Sequence, residues 1–330
     1  MSARTEAVLA DFKPPIGIRT AHMQSILGAW SLRGQIVRYR TRDFVKTASA
    51  ELIHCEAGVR LLAKVNNPAH SPQALVVLLH GWEGSADATY VVSAAHQLRA
   101  LGCKTVRLNF RDHGGTCALN EGLFHSCRIE EIVSAVSVIQ QANPGLPLYL
   151  VGFSLGANFA LRVAARANSA GIQLQKVLAV CPVLSPTRTM QALEQGMWIY
   201  RYYFLRRWRR SLLAKASVFP QLYQFGNLKR LPTLTATTDY FVKHYTEFEN
   251  LNDYLNGYAI TGDQLAGLEV ESLLIATADD PVIPIEDTQL LARTDALRVH
   301  VLQQGGHCGL LKDYFLNSWL DESIDSLLLT

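Results

Sequence analysis

Ser154 stands in a segment whose residue types suit a nucleophile presented on a sharp turn. An apolar run from Leu148 to Val151 precedes Gly152-Phe-Ser-Leu-Gly156, and a stretch with helical character follows. A serine strained between a strand and a helix exposes its hydroxyl, and side chains at the two glycine positions would collide with the turn. The Leu155 N–H would then lie free at a helix N-terminus, where a developing oxyanion is stabilised. A turn without chemistry is the alternative, but the flanking strand and helix favour the nucleophile.

A hydroxyl needs a base, and the C-terminal part of the chain offers one. His307, in Gly305-Gly-His, can accept a proton and return it to a leaving group, since the pKa of imidazole lies near neutral pH. A buried carboxylate would fix the imidazole tautomer and stabilise the imidazolium. Two adjacent candidates, Asp279 and Asp280, follow an apolar run that predicts a strand. The spacing therefore indicates covalent acyl-transfer chemistry at a serine.

A second oxyanion donor is predicted after another buried strand. The apolar run Ala74 to Leu79 ends in His80-Gly81-Trp82, and the Trp82 N–H is the predicted partner of the Leu155 N–H. Gly81, like the two glycines around Ser154, has a supporting role. His80 is interpreted as a structural histidine bonded to backbone.

The elements that must position these residues alternate between strands and helices. This alternation predicts an α/β fold with a mostly parallel, roughly eight-stranded, doubly wound sheet flanked by helices. The predicted strands are 36–39, 59–65, 74–79, 104–110, 148–151, 176–180, 271–276 and 297–302. The predicted core helices are 91–101, 129–141, 157–166, 285–292 and 314–328.

The alternation stops between residues 185 and 267, which predicts a helical insertion, the cap. We expect one domain over residues 1–330, with the core in about 35–184 and 268–330 and an N-terminal arm in about 1–34. The cap stretch from Trp198 to Arg210 mixes aromatic residues with arginines. Peripheral contact with an anionic membrane is one interpretation. A cap helix with its aromatic stripe over a pocket and its arginines in water is the favoured one.

Composition excludes several classes of protein. The chain has 330 residues, is 49% hydrophobic and carries a net charge of +3, so nothing predicts a nucleic-acid partner. Residues 1–14 do not read as a secretory signal, and no apolar run approaches the ~20 residues of a membrane helix. Six scattered cysteines without a C-x-x-C pair favour reduced thiols in the cytoplasm. The spacing of Asp112, His113, Cys117, His125 and Cys127 matches no zinc pattern, so neither a metal nor a cofactor is predicted.

The chain resembles the α/β-hydrolase superfamily and, within it, the YheT-like branch. The resemblance runs along most of the chain, in the motifs Pro14-Pro15, His22-Met-Gln-Ser25, His80-Gly-Trp-Glu-Gly-Ser85, Asn109-Phe-Arg111, His125-Ser126, Gly152-Phe-Ser-Leu-Gly-Ala-Asn158, Asp279-Asp-Pro281 and Gly305-Gly-His307. It implies a triad of Ser154, Asp280 and His307, with Asp280 preferred over Asp279. Eukaryotic relatives of this branch include membrane-associated lipid hydrolases and ethanol acyltransferases. Ser25 replaces the usual Thr of its segment, and the acidic segment that the branch has near residues 235–241 is not recognisable.

The function expected from these residues is a serine carboxylic-ester hydrolase that works through an acyl-enzyme. Its substrates would be small-molecule or lipid-like esters with apolar acyl or alcohol parts. One alternative passes the same acyl group to an alcohol, because exclusion of water by the cap decides the acceptor. The other is a hydrolase fold used only for binding.

Overall fold

The computed structural model describes residues 3–10, 12–226 and 228–329. Eight strands form one sheet in the order β1-β2-β4-β3-β5-β6-β7-β8. Their bounds are β1 Ser49–His54, β2 Arg60–Asn66, β3 Ala74–Leu79, β4 Cys103–Leu108, β5 Leu148–Phe153, β6 Leu174–Val180, β7 Glu271–Thr277 and β8 Leu297–Leu302. The β1–β2 and β2–β4 pairs are antiparallel, and the other neighbours are parallel. The mostly parallel α/β sheet predicted from the sequence is confirmed.

Twelve α-helices are found in the described part of the chain. They are α1 Ala3–Ala10, α2 Ala21–Ala29, α3 Ser31–Arg40, α4 Arg42–Lys46, α5 Thr89–Ala100, α6 Ile129–Gln141, α7 Leu155–Ala164, α8 Pro186–Gln195, α9 Trp198–Val218, α10 Leu234–Tyr245, α11 Leu251–Asn256 and α12 Trp319–Leu328. None of the helices described in the structure is both long and apolar enough to cross a membrane.

Helices cover both faces of the sheet, which explains the uninterrupted apolar strands. In β3, Leu75 and Val77 pack in one core cluster with α6 and α7. Val76 and Leu78, which alternate with them, pack in the other cluster with α5 and α12. Because successive strand side chains point to opposite faces, a strand buried on both sides has no polar alternation.

Three predicted elements are wrong or displaced. Residues 36–39, predicted as a strand, lie in helix α3, which buries Arg33, Gly34 and Val37 at helical spacing. The first strand of the sheet is therefore β1. Residues 285–292, predicted as an α-helix, contain a 3-10 helix, Ile285–Leu290. The last helix begins at Trp319 rather than at residue 314, because the Ser318 side chain accepts the Asp321 N–H and caps it.

Helices α8 to α11 lie between β6 and β7, where the sequence predicted the cap. Helix α9 buries Leu205, Trp208 and Leu212, whereas Trp198 and Tyr202 at its start are exposed. This agrees with a cap helix that turns one stripe inward. Contact of its exposed aromatic residues with a membrane stays a prediction, as do the domain boundaries.

A buried ion pair fastens α9 to the core. Lys215 is fully buried, and its ammonium lies 2.7 Å from a carboxylate oxygen of Asp112, in the loop after β4. The same ammonium donates to the carbonyl oxygens of Cys117, Asn120 and Gly122. A buried charge is tolerated only with such partners, so this contact fixes where α9 sits.

Candidate active site

The segment from Gly152 to Gly156, here called the elbow, joins β5 to α7 with a strained serine between them. Ser154 has φ 53° and ψ −117°, a conformation that L-residues rarely adopt. A Cβ at position 152 would overlap backbone atoms of Gly156 and Ala157, and one at position 156 would overlap the Leu79 carbonyl oxygen. The predicted reason for both glycines is therefore visible in the contacts. The turn carries the Ser154 hydroxyl past the carboxyl end of the sheet.

The side chains of Ser154, His307 and Asp280 form one chain of hydrogen bonds. His307 Nε2 lies 2.9 Å from Ser154 Oγ, and His307 Nδ1 lies 2.9 Å from Asp280 Oδ2. A carboxylate only accepts, so the Nδ1 N–H donates a hydrogen bond to Asp280, and in the neutral imidazole Nε2 is left to accept from the serine hydroxyl. These contacts are the ones a serine, a base and an orienting acid need.

The second carboxylate has a different partner. Asp279 Oδ1 accepts the backbone N–H of Gly306, whereas Asp280 Oδ1 accepts the N–H groups of Val282 and Ile283. The Asp280 side chain is only 2% exposed. Of the two acids that the sequence left open, the structure brings Asp280 to the imidazole and uses Asp279 to shape the loop before it.

The electrostatics of His307 favour its charged form. Burial lowers the pKa of His307, but the Asp280 carboxylate, Cys308 and the hydrogen bond to Asp280 together raise that pKa to about 9. An opposite charge in hydrogen-bond contact stabilises the imidazolium that forms when a serine gives up its proton. From its neutral form, the imidazole can therefore take up the Ser154 proton and hold it.

The loop that carries His307, residues 305–309, here called the base loop, is held by the N-terminal arm. The His307 N–H donates to Ser25 Oγ at 2.8 Å, and that hydroxyl donates to the Ala21 carbonyl at 2.7 Å. The fully buried Gln24 side chain pairs with both the N–H and the C=O of Leu311. A Cβ at Gly306 or Gly309 would overlap atoms of helix α2. Helix α2 and the base loop thus pack backbone to backbone.

We expect Ser25→Ala to lower kcat for ester turnover by about tenfold with little change in KM, because it frees the His307 N–H and loosens the imidazole. Ser25→Thr, which keeps the hydroxyl, should restore most of the rate. The measurement is steady-state kinetics of both variants beside their thermal unfolding midpoints. Equal losses in the alanine and threonine variants would contradict a role of the hydroxyl in positioning.

The loop after β3, residues 80–84, is the predicted second side of an oxyanion hole. The Gly81 C=O accepts from His80 Nδ1 at 2.7 Å and from the Gly84 N–H at 2.9 Å, and the Gly81 N–H donates to the Tyr90 hydroxyl at 3.0 Å. The C=O of Gly81 and the N–H of Trp82 belong to one trans peptide, so they point in opposite directions. Fixing the first therefore aims the Trp82 N–H away from His80.

His80 is structural, as its sequence context predicted. Its Nε2 accepts a hydrogen bond from the Phe110 N–H at 3.2 Å, so the proton is on Nδ1, which donates a hydrogen bond to the Gly81 carbonyl oxygen. Burial, with His113 nearby, lowers the pKa of His80 well below its usual value and keeps it neutral. Gly81 also lies directly against the nucleophile, since a Cβ there would come within 3.2 Å of Ser154 Cβ.

A cavity of about 80 Å³ opens between the core and the cap. Trp82 and Leu155, the two predicted oxyanion residues, both line it, and Trp208 of α9 closes it from the cap. Most of its other lining is apolar: Phe124, Val183, Pro186, Met190, Leu193, Leu234 and Phe241. An apolar chain attached to a carbonyl at Ser154 would find its burial here.

Two of the residues whose spacing matched no zinc pattern have other partners in the fold. Asp112 pairs with Lys215, and His113 Nδ1 lies 2.7 Å from the Arg111 carbonyl oxygen. Cys181 and Cys308 lie beside His307, with ligand atoms of the three within 4.8 Å of one another. Both ring nitrogens of His307 are already bonded to Asp280 and Ser154, so this group belongs to the site described above.

Several positioning residues were not assigned from the sequence. Tyr90 holds the loop after β3, and Gln24 and Ser25 hold the base loop. Tyr90 gives no signal, because a tyrosine near the start of an amphipathic helix usually packs. The segment His22-Met-Gln-Ser25 was noticed as a motif, but its contact with a loop 282 residues away is not encoded locally.

Fold and site together define the class of protein: the chain belongs to the α/β-hydrolase fold family, whose model matches residues 74–314. The chain is similar to the putative esterase YheT of Escherichia coli K12, at 24% identity over 97% of this chain and 94% of that protein. It is 21% identical to the mouse phospholipase ABHD3, over 86% of this chain and 72% of that protein. The resemblance to the YheT-like branch is thereby confirmed.

Solved structures agree on the architecture. The esterase Pf2001 of Pyrococcus furiosus superposes with a TM-score of 0.55 at 14% identity, over 85% of this chain and 89% of that one. The mouse α/β-hydrolase domain-containing protein 10 gives a TM-score of 0.52 at 13% identity, over 85% and 98% of the two chains. At such identities the likeness shows the fold, which is the one predicted.

Proposed function

We propose that the protein is a serine carboxylic-ester hydrolase that works through an acyl-enzyme, with Ser154, His307 and Asp280 as catalytic residues. The observation that carries the proposal is the continuous hydrogen-bonded chain from Ser154 Oγ through His307 to Asp280. The names of two similar proteins, the putative esterase YheT and the esterase Pf2001, support ester hydrolysis. The apolar cavity beside Trp82 and Leu155 supports esters with an apolar part.

The reaction follows from the geometry. Ser154 Oγ attacks the ester carbonyl carbon while its proton passes to His307 Nε2, and the Leu155 and Trp82 N–H groups stabilise the oxyanion. His307 then gives that proton to the alcohol oxygen as the C–O bond breaks, which leaves an acyl group on Ser154. A water molecule, deprotonated by His307, attacks the acyl carbon, and Ser154 leaves with the proton as the free acid forms.

The two alternatives are separable. An acyltransferase would use the same acyl-enzyme, and product analysis with and without added ethanol decides the acceptor. A protein that only binds has no use for a strained serine bonded to an imidazole. Backbone strain of this kind costs on the order of 1–3 kcal/mol, and it persists where the site needs it.

Covalent labelling tests the proposal directly. A fluorophosphonate probe, followed by peptide mass spectrometry, should modify Ser154 with loss of ester turnover in proportion to labelling, since its phosphorus mimics the carbonyl attacked. Ser126→Ala is the matched control. Ser126 also lines the cavity but should not be labelled, so this variant should be labelled like the unmodified protein. Modification of another serine, or full activity after stoichiometric labelling, would contradict the proposal.

A further inference from the structure

The solvent-facing side of helix α9, here called the outer face, carries aromatic residues and arginines. Trp198 is 66% exposed, Tyr202 is 54% exposed, and Tyr203 beside them is 43% exposed. Arg206 and Arg210 are also exposed, and they follow Tyr202 at four-residue spacing, so they continue the same face of the helix. Large aromatic side chains are mostly buried in proteins, and a group of them in water marks a surface used for binding.

The charge of this part of the chain has one sign. Between Glu194 and Asp239 the sequence has eight lysines and arginines and no acidic residue. The remainder of the chain has 23 lysines and arginines against 28 acidic residues, so the positive charge of the protein is concentrated in the cap. A field with this asymmetry turns the cap, rather than the core, toward an anionic surface.

The fold does not use the arginines of the outer face. Among the residues that the structure describes, Arg206 and Arg210 have neither an ion pair nor a hydrogen bond. Arg209 lies between them in sequence but points elsewhere, since its guanidinium donates to the Leu231 carbonyl oxygen within the cap. A guanidinium presents five donors in a planar fork that matches phosphate oxygens, so the two free arginines can bind phosphate groups without breaking a contact of the fold.

The first turn of α9 lies next to the helix that supports the catalytic base. His22 Nδ1, on α2, lies 3.0 Å from the Tyr200 hydroxyl. Ser25, about one turn further along α2, accepts the His307 N–H. Met23, which follows His22, is 39% exposed and adds an apolar side chain beside the start of α9. A surface that binds the outer face is therefore held close to the active site.

We infer that the outer face of α9 docks on an anionic lipid bilayer, with Arg206 and Arg210 at the lipid phosphates and Trp198 and Tyr202 in the interfacial layer. Tryptophan and tyrosine prefer the boundary between headgroups and acyl chains, and arginines beside them add attraction to anionic lipid. A second copy of the chain does not fit this face, because it would bring the same unpaired arginines against it. The inference concerns an interaction surface, so it does not depend on the proposed esterase.

The test is co-flotation of the full-length protein with vesicles of phosphatidylcholine, with or without about one third phosphatidylglycerol. The protein should float with the anionic vesicles, bind the neutral ones at least tenfold more weakly, and dissociate as salt is raised to about 0.5 M. The double variant Arg206→Gln, Arg210→Gln should lower the affinity for anionic vesicles by about 25-fold, since each basic residue near such a surface contributes about fivefold. Trp198→Ser should weaken binding to both kinds of vesicle, because it removes an apolar contribution that lipid charge does not affect.

The matched control is the double variant Arg293→Gln, Arg298→Gln. It removes the same charge from exposed positions, and Arg298 lies at the amino end of β8, whereas the cap covers the carboxyl ends of the strands. This control should bind anionic vesicles within a few-fold of the unmodified protein, because its arginines lie away from the docking face. Ser154→Ala should also bind like the unmodified protein, so the result is separate from that of the esterase.

Three outcomes would overturn the inference. The first is no binding to anionic vesicles by the unmodified protein. The second is equal losses in the two double arginine variants, which would mean that net charge rather than the outer face is responsible. The third is a dimer, seen by size-exclusion chromatography, that Trp198→Ser dissociates, since a second copy would then cover this face. Loss of binding in the Arg206 and Arg210 variant alone, with its thermal unfolding midpoint unchanged, would support the docking face.

Discussion

Replacing Ser154 with alanine is expected to lower kcat for p-nitrophenyl ester turnover by a factor on the order of 10⁵–10⁶. The substitution removes the atom that becomes bonded to the acyl group, and His307 is left with no proton to withdraw. Alanine can adopt the strained φ of 53° about as well as serine, so the fold should persist. The measurement is initial-rate kinetics beside thermal unfolding of the variant.

The remaining rate of this variant is informative. Oxyanion donors and substrate binding alone leave roughly 10³–10⁴ over the uncatalysed reaction in serine enzymes. A residual rate of that size would support the oxyanion role assigned to Leu155 and Trp82. An unchanged rate in a correctly folded variant would mean that ester hydrolysis does not pass through Ser154.

Asp280→Asn is expected to lower kcat by about 10⁴, because an amide cannot hold the tautomer in which His307 Nε2 is free to accept. It should also change the pH profile. In the unmodified protein we expect kcat/KM to rise with pH until the imidazole has lost its proton, because the pKa of His307 is raised to about 9 with Asp280 as a principal cause. Removing the carboxylate lowers that pKa, so the rising limb should move to lower pH.

Asp279→Asn is the matched control for this prediction. Its oxygen accepts from the Gly306 N–H, and asparagine keeps an oxygen that can do the same. We expect a change of only a few-fold in kcat and no movement of the rising limb. If Asp279→Asn instead carried the large loss and the pH shift, the acid assignment would pass to Asp279.

Local sequence was sufficient where the residues of one segment determine its structure. Strand β3 and helix α6 were predicted with the bounds that the structure gives, because their apolar residues recur at one clear period. The elbow was predictable because its Gly-x-Ser-x-Gly pattern lies between an apolar run and a stretch with helical character, although the contact that requires Gly156 comes from Leu79 on β3. The strand predicted for residues 36–39 was wrong because two adjacent apolar residues suit a strand as well as a helix.

The rest depends on contacts between distant segments. The choice between Asp279 and Asp280 needed the position of His307, 27 residues further along the chain. Thr189 and Thr238 are the same residue type on two cap helices, but only the Thr238 hydroxyl is hydrogen-bonded, a difference that the sequence does not show. The support of the base loop by Ser25 required the two ends of the chain to be seen together.

That last contact has a consequence for biosynthesis. Helix α2, which carries Ser25, is synthesised before the base loop that it contacts, because His307 follows 282 residues later in the chain. A nascent chain that already displays its serine on a folded elbow would therefore still be inert. Because His307 is part of the base loop, we expect activity to appear only after this loop has been synthesised and has packed against helix α2, so the time course of its appearance would report that late step of folding.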